Sequence, residues 1–383
     1  MRKIKLKYIW LSAVLLILEC DVDSEVKAEE INVSAKSSIL ICADSGDVVW
    51  SKNEHEPLPI ASTTKIMTSL LTIEHSQAEN KDVEITDEMV RVEGTSMGLR
   101  AGDVIKLKEL AKGMLLPSGN DAANAAAIAI SGTTEKFSEL MNEKAHQIGM
   151  KNTNFVTPSG LDSGDHHSTA YDMAILGAFA MENEEFSNIA SKKSMKVNFV
   201  NPSKSVNLSN HNKLLRLYDG CIGIKTGFTK AAGRCLVSCA QKDGVRLVAV
   251  TLNAPNDWDD HKTLYDYGFK NTISKEFDDR NFRTSIPVKD GIVDDVSLAG
   301  TTSFVRTFKL GDENKITRKI EMDDYCVAPI ERGQIVGKVV YYFGDKKIGE
   351  NNIISEQDIA EKKVERGKLA QIWDFIKNLF SKK

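Results

Sequence analysis

The chain has 383 residues, enough for one large domain and a smaller second domain. Its 42% hydrophobic and 27% charged residues are ordinary for a soluble globular protein. The formal net charge of −4 provides no dominant basic field, which argues against nucleic acid as a partner.

Residues 1–28 have the pattern of a secretory signal peptide. Four basic residues within the first seven positions precede an apolar run over 8–18, and 26–28 end in the small residue typical of a cleavage site. The apolar run is too short to span a bilayer comfortably, so we expect cleavage after this segment rather than an uncleaved anchor. Cys20 raises a lipoprotein alternative, but Glu19 stands where a lipid-attachment site requires a small residue.

The stretch after this leader predicts a hairpin and then helices. Two β-rich runs flank Asp44-Ser45-Gly46, which is typical of a hairpin. Residues 62–74 carry apolar side chains on most sides and predict a buried helix that begins near Ser62. Helical patterns continue to about residue 185, with a break at 117–120 and a further helix start at Thr169.

The period changes from about residue 195. Three strands are predicted over 221–229, 233–240 and 245–254, the last two joined by a turn at Asp243-Gly244. Strands at both ends with helices between them predict an α+β domain whose sheet joins the N- and C-terminal parts of the chain. We assign residues 29–275 to this domain.

Residues 276–357 predict a small all-β domain of sandwich type, because turn signals separate short alternating runs there. No cluster of candidate catalytic groups is visible in it. Residues 358–383 predict a linker and an amphipathic helix that lies in a membrane interface, the alternative being a helix docked on the β domain or on a partner. Its apolar face comprises Leu369, Ile372, Trp373, Phe375, Ile376, Leu379 and Phe380.

Ser62 and Lys65 are three residues apart, so their side chains share one face of the predicted helix. A buried lysine is costly unless it is paired or has lost its proton. A neutral lysine can take the proton of a neighbouring serine and make the hydroxyl nucleophilic. Ser-x-x-Lys alone is a weak signal, because residues 24–27 match it within the leader.

Two further motifs follow in the chain. Ser118-Gly119-Asn120 lies in the helix break, and Lys225-Thr226-Gly227 occurs once, on a predicted strand, where Gly227 allows close backbone approach by a ligand. In this order the three motifs resemble those of the penicillin-recognising serine enzymes. The resemblance is closer to the low-molecular-weight penicillin-binding proteins, the serine-type D-alanyl-D-alanine carboxypeptidases. It rests on the stretches IASTTKIMT, LLPSGNDAANAAA, STAYDMA and GIKTGFTKAAGRCLVSCA and on the layout of leader, two domains and terminal helix.

The resemblance implies a penicillin-binding/β-lactamase-like catalytic domain, with an antiparallel sheet and a helical cluster, and a catalytic role for three side chains. Ser62 would be the nucleophile that forms an acyl-enzyme, and Lys65 its general base. Ser118 would relay protons between this base and the leaving amine. Asn120 would bind the amide backbone of the substrate and help to position Lys65.

The Lys-Thr-Gly strand is implied to bind the substrate. Lys225 and Thr226 would hold the free carboxylate of the terminal D-alanine, and Lys225 would help to keep Lys65 neutral by like-charge repulsion. The backbone N–H groups of Ser62 and Phe228 would form the oxyanion hole. Phe228 stands where certain family members carry histidine. The role of this position in the family is through the backbone, so activity is expected to survive.

The implied reaction removes the last D-alanine from peptidoglycan pentapeptide stems, and β-lactams would acylate the same serine. A D,D-endopeptidase or weak transpeptidase on the same substrate is the alternative, because the nucleophile does not specify the bond. A β-lactamase is disfavoured by the extra domain and helix, and a non-enzymatic membrane-surface scaffold by the completeness of the motifs. We expect secretion to the outer face of the membrane, in the cell-wall space, with peripheral anchoring.

No metal or cofactor is expected. Adjacent histidines such as His166 and His167 rarely point together, so we expect them in a turn at the rim of the cleft rather than in a metal site. No glycine-rich phosphate loop is visible. The five cysteines that follow the leader include no Cys-x-x-Cys pair and predict small buried side chains rather than a disulfide framework.

Overall fold

The computed structural model describes residues 31–363. The predicted signal peptide and the helix predicted within 364–383 lie outside these residues and stay predictions. Within the described range no helix combines the length and the apolarity needed to cross a membrane. From Val33 onward the described chain forms one compact unit.

The strands are numbered in chain order. They are β1 (Ser37–Cys42), β2 (Val48–Lys52), β3 (Asp82–Glu84), β4 (Val104–Lys106), β5 (Ser194–Asn201), β6 (Lys204–Ser209), β7 (Cys221–Thr229), β8 (Gly233–Lys242), β9 (Val245–Leu252), β10 (Thr272–Asp278), β11 (Arg283–Lys289), β12 (Asp295–Gly300), β13 (Ser303–Lys309), β14 (Ile316–Met322), β15 (Cys326–Val327), β16 (Ile335–Phe343) and β17 (Lys346–Ser355).

The α-helices are numbered in the same way. They are α1 (Lys65–Ala78), α2 (Asp87–Val90), α3 (Leu107–Leu115), α4 (Asn120–Ser131), α5 (Thr134–Gln147), α6 (Ala170–Glu182), α7 (Glu184–Ala190), α8 (Leu214–Leu217) and α9 (Asp257–Lys270). Thr169 caps α6 as predicted, since its hydroxyl accepts a hydrogen bond from Asp172 N.

The first domain, β1 to α9, is built on a five-stranded antiparallel sheet in the order β2-β1-β9-β8-β7. Strand β1 pairs with β9, the last of the three strands predicted after residue 220, and Ile39 lies opposite Val250. The predicted hairpin, the predicted strands and the joining of the chain's two parts in one sheet are therefore confirmed.

Helices cover both faces of this sheet. On β9, Val248 lies next to Gly177 of α6, whereas the adjacent Leu247 lies next to Gly268 of α9. Successive side chains of a strand point to opposite faces, so a strand covered on both sides must be apolar throughout. This explains the apolar run LVAV at 247–250 in the middle of β9.

A second sheet of four short antiparallel strands, β3-β4-β5-β6, lies in the same domain. Strands β3 and β4 interrupt the stretch that the sequence predicted to be mainly helical up to about residue 185. Each has only three residues, too few for an alternating pattern to stand out from its neighbours.

A buried polar network fixes α9 to the sheet. Ser238 Oγ lies 2.6 Å from both His261 Nδ1 and Tyr265 Oη, and Thr251 Oγ1 lies 3.0 Å from His261 Nε2. Burial lowers the pKa of His261 to about 3, so the imidazole is neutral at pH 7. The network thereby sets the position of the N-terminal end of α9, which reaches the site described below.

The second domain, β10 to β17, is all β, as predicted. A six-stranded sheet, β14-β16-β17-β12-β11-β15, and a two-stranded sheet, β10-β13, share one apolar core. Buried Asp279 accepts hydrogen bonds from Arg318 Nη2 at 2.8 Å, Tyr341 Oη at 2.9 Å and Asn351 Nδ2 at 2.7 Å. The α+β fold class followed by a small β domain is confirmed.

Acidic residues of the β1–β2 hairpin join the two domains. Asp44 Oδ2 accepts a hydrogen bond from Thr307 N at 2.6 Å. Asp47 lies 3.3 Å from Lys346 Nζ and 3.9 Å from Arg306 Nη2. The hairpin therefore carries the charges that contact β13 and β17.

Candidate active site

Ser62 lies in a one-turn 3-10 helix, Ala61–Thr64, rather than in the α-helix that the sequence predicted, and α1 begins only at Lys65. Two threonine hydroxyls donate back to the turn: Thr63 Oγ1 to Ile60 O at 2.6 Å, and Thr64 Oγ1 to Ala61 O at 2.8 Å. Hydroxyls that bond nearby carbonyls compete with α-helical hydrogen bonds and favour such a tight turn.

Lys65 is fully buried at the start of α1. Its Nζ lies 3.0 Å from Ser62 Oγ and donates to Asn120 Oδ1 and to Ser159 O, both at 2.6 Å. Burial, and next the nearby Lys225, hold the pKa of Lys65 well below its ordinary value. A neutral amine has two N–H groups and one lone pair, so with both N–H groups on the carbonyl oxygens its lone pair faces Ser62.

The Ser-Gly-Asn motif forms the opposite wall. Ser118 has a positive φ of 65°, an uncommon conformation for a residue with a side chain, and Asn120 begins α4. Asn120 Nδ2 donates to Glu93 O at 2.7 Å, so the amide links Lys65 to the loop 92–99. Ser118 lines the cleft, and its hydroxyl makes no hydrogen bond to residues 31–363.

The Lys-Thr-Gly motif lies on β7, directly against the nucleophile turn. A Cβ atom on Gly227 would stand 3.0 Å from Ile60 O and Thr63 N and 3.1 Å from Ser62 N. The close approach that requires glycine is therefore made by the chain's own backbone, whereas the sequence suggested a ligand. Lys225 is buried and donates to Thr226 O at 2.8 Å, and burial lowers its pKa to about 7.

These elements enclose a cleft of about 660 Å³. Every site residue predicted from the sequence lies on its surface or directly behind it. Those that line it are Ser62, Ser118, Asn120, Thr226, Gly227 and Phe228, with Lys65 and Lys225 buried behind them. Within the described residues, no group of three or more His, Cys, Asp or Glu side chains could hold a metal ion.

His166 closes a turn, as the sequence suggested, with its backbone N–H donating to Ser163 O at 3.1 Å, but it is buried rather than at the rim of the cleft. Its Nδ1 accepts from Val156 N at 2.9 Å, so its Nε2 carries the proton and lies 2.8 Å from Thr64 Oγ1. Burial lowers its pKa to about 4. The imidazole thereby supports the turn that carries Ser62 through a threonine, a contact between residues 102 positions apart that no local pattern reveals.

Asp121 is a second residue whose role sequence reasoning missed. It is buried, and its carboxylate accepts from the backbone N–H groups of Met97, Gly98 and Leu99 at 2.9–3.1 Å. These bonds hold the loop 92–99, whose Glu93 carbonyl binds Asn120. An acidic residue directly after Ser-x-Asn, in the first turn of a helix, was the available signal.

Comparisons with known proteins identify the family of both domains. Residues 24–256 match the family model of the D-alanyl-D-alanine carboxypeptidases, and residues 275–361 match that of the penicillin-binding protein 5 C-terminal domain. The D-alanyl-D-alanine carboxypeptidase DacF of Bacillus subtilis is 34% identical over 344 residues, covering 88% of each chain.

Solved structures show the same fold. Penicillin-binding protein 5 from Haemophilus influenzae is 30% identical with a TM-score of 0.66, covering 87% of this chain and 99% of that one. A mutant of the Streptomyces K15 DD-transpeptidase is 27% identical with a TM-score of 0.60, covering 63% of this chain and all of that one. The chain therefore belongs to the D-alanyl-D-alanine carboxypeptidase family of serine enzymes, and the resemblance seen in its motifs is confirmed.

Proposed function

We propose that this protein removes the terminal D-alanine from peptidoglycan stem peptides through an acyl-enzyme on Ser62. The observation that carries the proposal is the environment of Lys65, a fully buried amine with two carbonyl acceptors and a serine as its third neighbour. A base with a lowered pKa beside a hydroxyl is the arrangement that activates a serine nucleophile.

Acylation begins when the substrate's terminal carboxylate binds Lys225 and Thr226. The scissile carbonyl oxygen then points at the N–H groups of Ser62 and Phe228, which stabilise the negative charge that develops on it. Ser62 Oγ attacks the carbonyl carbon while its proton passes to Lys65 Nζ. The result is a tetrahedral intermediate and a protonated lysine.

The intermediate collapses when the C–N bond breaks. The leaving amine takes a proton that comes from Lys65 through the hydroxyl of Ser118, and D-alanine departs. Asn120 binds the substrate's amide backbone during this step and keeps the amine of Lys65 in place. Water then attacks the ester carbonyl and gives a proton to the same lysine, which returns it to Ser62 Oγ as the shortened peptide leaves.

The test is covalent labelling by penicillin. Intact mass should show one penicilloyl group per chain, and D-alanine should be released from a pentapeptide. The Ser62→Ala variant should lose both reactions, because it removes the hydroxyl that lies 3.0 Å from the buried amine. Release of D-alanine by that variant would contradict the mechanism.

Transpeptidation or D,D-endopeptidase activity on the same substrate is the second candidate. It is favoured by one observation, the structural similarity to an enzyme named as a DD-transpeptidase. Mass analysis of muropeptides incubated with the protein separates these reactions. Loss of one alanine from monomers indicates the carboxypeptidase, new cross-linked dimers the transpeptidase, and cleaved dimers the endopeptidase.

For location, we propose export through the leader 1–28 and peripheral attachment to the outer face of the membrane through residues 364–383. The apolar face with Trp373 and the terminal lysines of the sequence support this attachment. Full-length protein should pellet with anionic liposomes, whereas a chain ending at residue 363 should stay in the supernatant. Equal partitioning of both forms would contradict the anchor.

A further inference from the structure

One end of the cleft carries two aromatic side chains that the mechanism does not use. Phe228 exposes 65% of its surface, the largest exposed fraction among the large hydrophobic side chains of residues 31–363. Half-buried Trp258, in the first turn of α9, lines the same cleft. Neither ring contacts another aromatic ring of the described chain. Together these two residues are called the aromatic ledge.

The ledge is held in place by an ion pair. Phe228 on β7 lies opposite Arg234 on β8, so both side chains stand on one face of the sheet. Arg234 donates from Nε and Nη2 to buried Asp257 at 2.7–3.0 Å, and its guanidinium lies 5.5 Å from the ring centroid of Trp258. Asp257 thereby pairs the charge of this guanidinium, which lines the cleft together with the two rings.

The direction of the bound peptide follows from the order of residues along β7, and this step rests on the proposed function. The terminal carboxylate binds at Lys225 and Thr226, and the scissile carbonyl lies at Phe228 N. A strand advances about 3.3 Å per residue, so the part of the peptide before the scissile bond continues past Thr229. The substrate residue that precedes the penultimate D-alanine is therefore the one whose side chain can reach the ledge.

We propose that Phe228 and Trp258 form a subsite for a long aliphatic side chain at this position of the substrate, as a diamino acid in the stem peptide would provide. Its methylene groups pack across the two rings, while its polar end stays in solvent. A methyl group at the same position is too short to reach both rings. The ledge thereby selects for the third residue of the stem without taking part in bond cleavage.

The experiment compares two tripeptides that differ only in this side chain, Nα,Nε-diacetyl-L-Lys-D-Ala-D-Ala and Nα-acetyl-L-Ala-D-Ala-D-Ala. The wild type should have the higher kcat/KM with the lysyl peptide. Phe228→Ala and Trp258→Ala should each lower the lysyl-to-alanyl ratio of kcat/KM about tenfold, the effect of exposing a few methylene groups. Phe228→Leu keeps an apolar surface and should restore most of the ratio.

The matched control is Tyr325→Ala, which removes an exposed aromatic side chain of the second domain and should leave the ratio unchanged. Circular dichroism and penicillin labelling establish that each variant is folded. A ratio within twofold of wild type in both Phe228→Ala and Trp258→Ala would overturn the subsite.

Failure of the proposed function gives a different result. If the wild type releases D-alanine from neither peptide, the proposed reaction is wrong, and the subsite is then judged by binding. Calorimetry on the Ser62→Ala protein, with and without Trp258→Ala, measures the affinity for each peptide. A preference for the lysyl peptide that depends on Trp258 supports the subsite, and equal affinities refute it.

Discussion

The first domain buries two lysines without a carboxylate partner, whereas the second domain buries an aspartate that is paired. Within the described residues, neither Lys65 nor Lys225 forms an ion pair, and their amines contact neutral oxygens. Asp279 of the second domain binds Arg318 and Tyr341. All three groups are buried, but only the aspartate is paired with an opposite charge.

The difference separates a functional from a structural use of burial. An unpaired buried cation is destabilising, and its pKa falls until the neutral form dominates; this suits a base. At Asp279, burial by itself would raise the pKa, but hydrogen bonds from Asn351, Arg318 and Tyr341 outweigh it and lower the pKa. The aspartate therefore stays charged and holds strands together. Substitutions in the two regions should accordingly affect different measured quantities.

Lys65→Ala should have the largest effect. Removing the general base should slow acylation by penicillin by about 10²–10⁴-fold, measured by stopped-flow with a fluorescent penicillin. Lys196→Ala removes an exposed lysine of β5 and serves as the control, with no change expected. If Lys65→Ala is acylated at a rate within tenfold of the wild type, Lys65 is not the general base.

Asp279→Ala should change stability instead of rate. It leaves Arg318 and two further donors without their acceptor, and the loss of these hydrogen bonds to a charged group should cost about 3 kcal/mol of unfolding free energy. Urea unfolding followed by tryptophan fluorescence and circular dichroism measures this loss, while the acylation rate should stay within twofold of wild type. The exposed neighbour Asp278→Ala is the control. A slowed acylation rate in Asp279→Ala would mean that the two regions are not separable.

The pH dependence of stability should carry the signature of Lys225. Its pKa is about 7 in the folded protein and about 10.5 when unfolded, so between these values the unfolded state binds the extra proton. Stability contributed by this group therefore rises with pH over that window, by about 1.4 kcal/mol per unit. Lys225→Met should lower the slope of unfolding free energy between pH 7.5 and 8.5 by about this amount. An unchanged slope would show that Lys225 keeps its ordinary pKa in the fold.

The smallest effect is expected where the two regions meet. Asp44→Ala removes the acceptor of the Thr307 N–H and should cost about 1 kcal/mol. Hydrogen exchange at the Thr307 amide should accelerate, whereas acylation should not change. Asp44→Asn keeps an acceptor oxygen and should retain most of the protection. Equal exchange in all three proteins would show that this contact does not fix the domains.

Much of the site followed from local pattern. The spacing of Ser62 and Lys65 brought hydroxyl and amine to one side whether the turn is 3-10 or α, and the motifs at 118–120 and 225–227 lie on the elements predicted for them. Short β-rich runs between turn signals predicted β7 to β9 and the second domain, because burial on one face gives an alternating run and burial on both faces a continuous one.

The remainder depends on contacts between distant segments. Tertiary packing sets three contacts of the site. Ser159 O accepts from Lys65, His166 supports the nucleophile turn, and Asp121 holds the loop 92–99. Sequence periodicity reports which face of an element is buried, not which distant group it meets. The aromatic ledge was hidden for the same reason, since Trp258 stands 30 positions after Phe228.

The seating of Gly227 against the Ser62 turn has a consequence for biosynthesis. The reactive serine is made early in translation, but the strand that completes its pocket comes about 160 residues later. The second partner of β1 besides β2, strand β9, is made later still. A ribosome must release most of the chain before any molecule can acylate. We therefore expect truncated products that stop ahead of β7 to carry the nucleophile but not to react with penicillin.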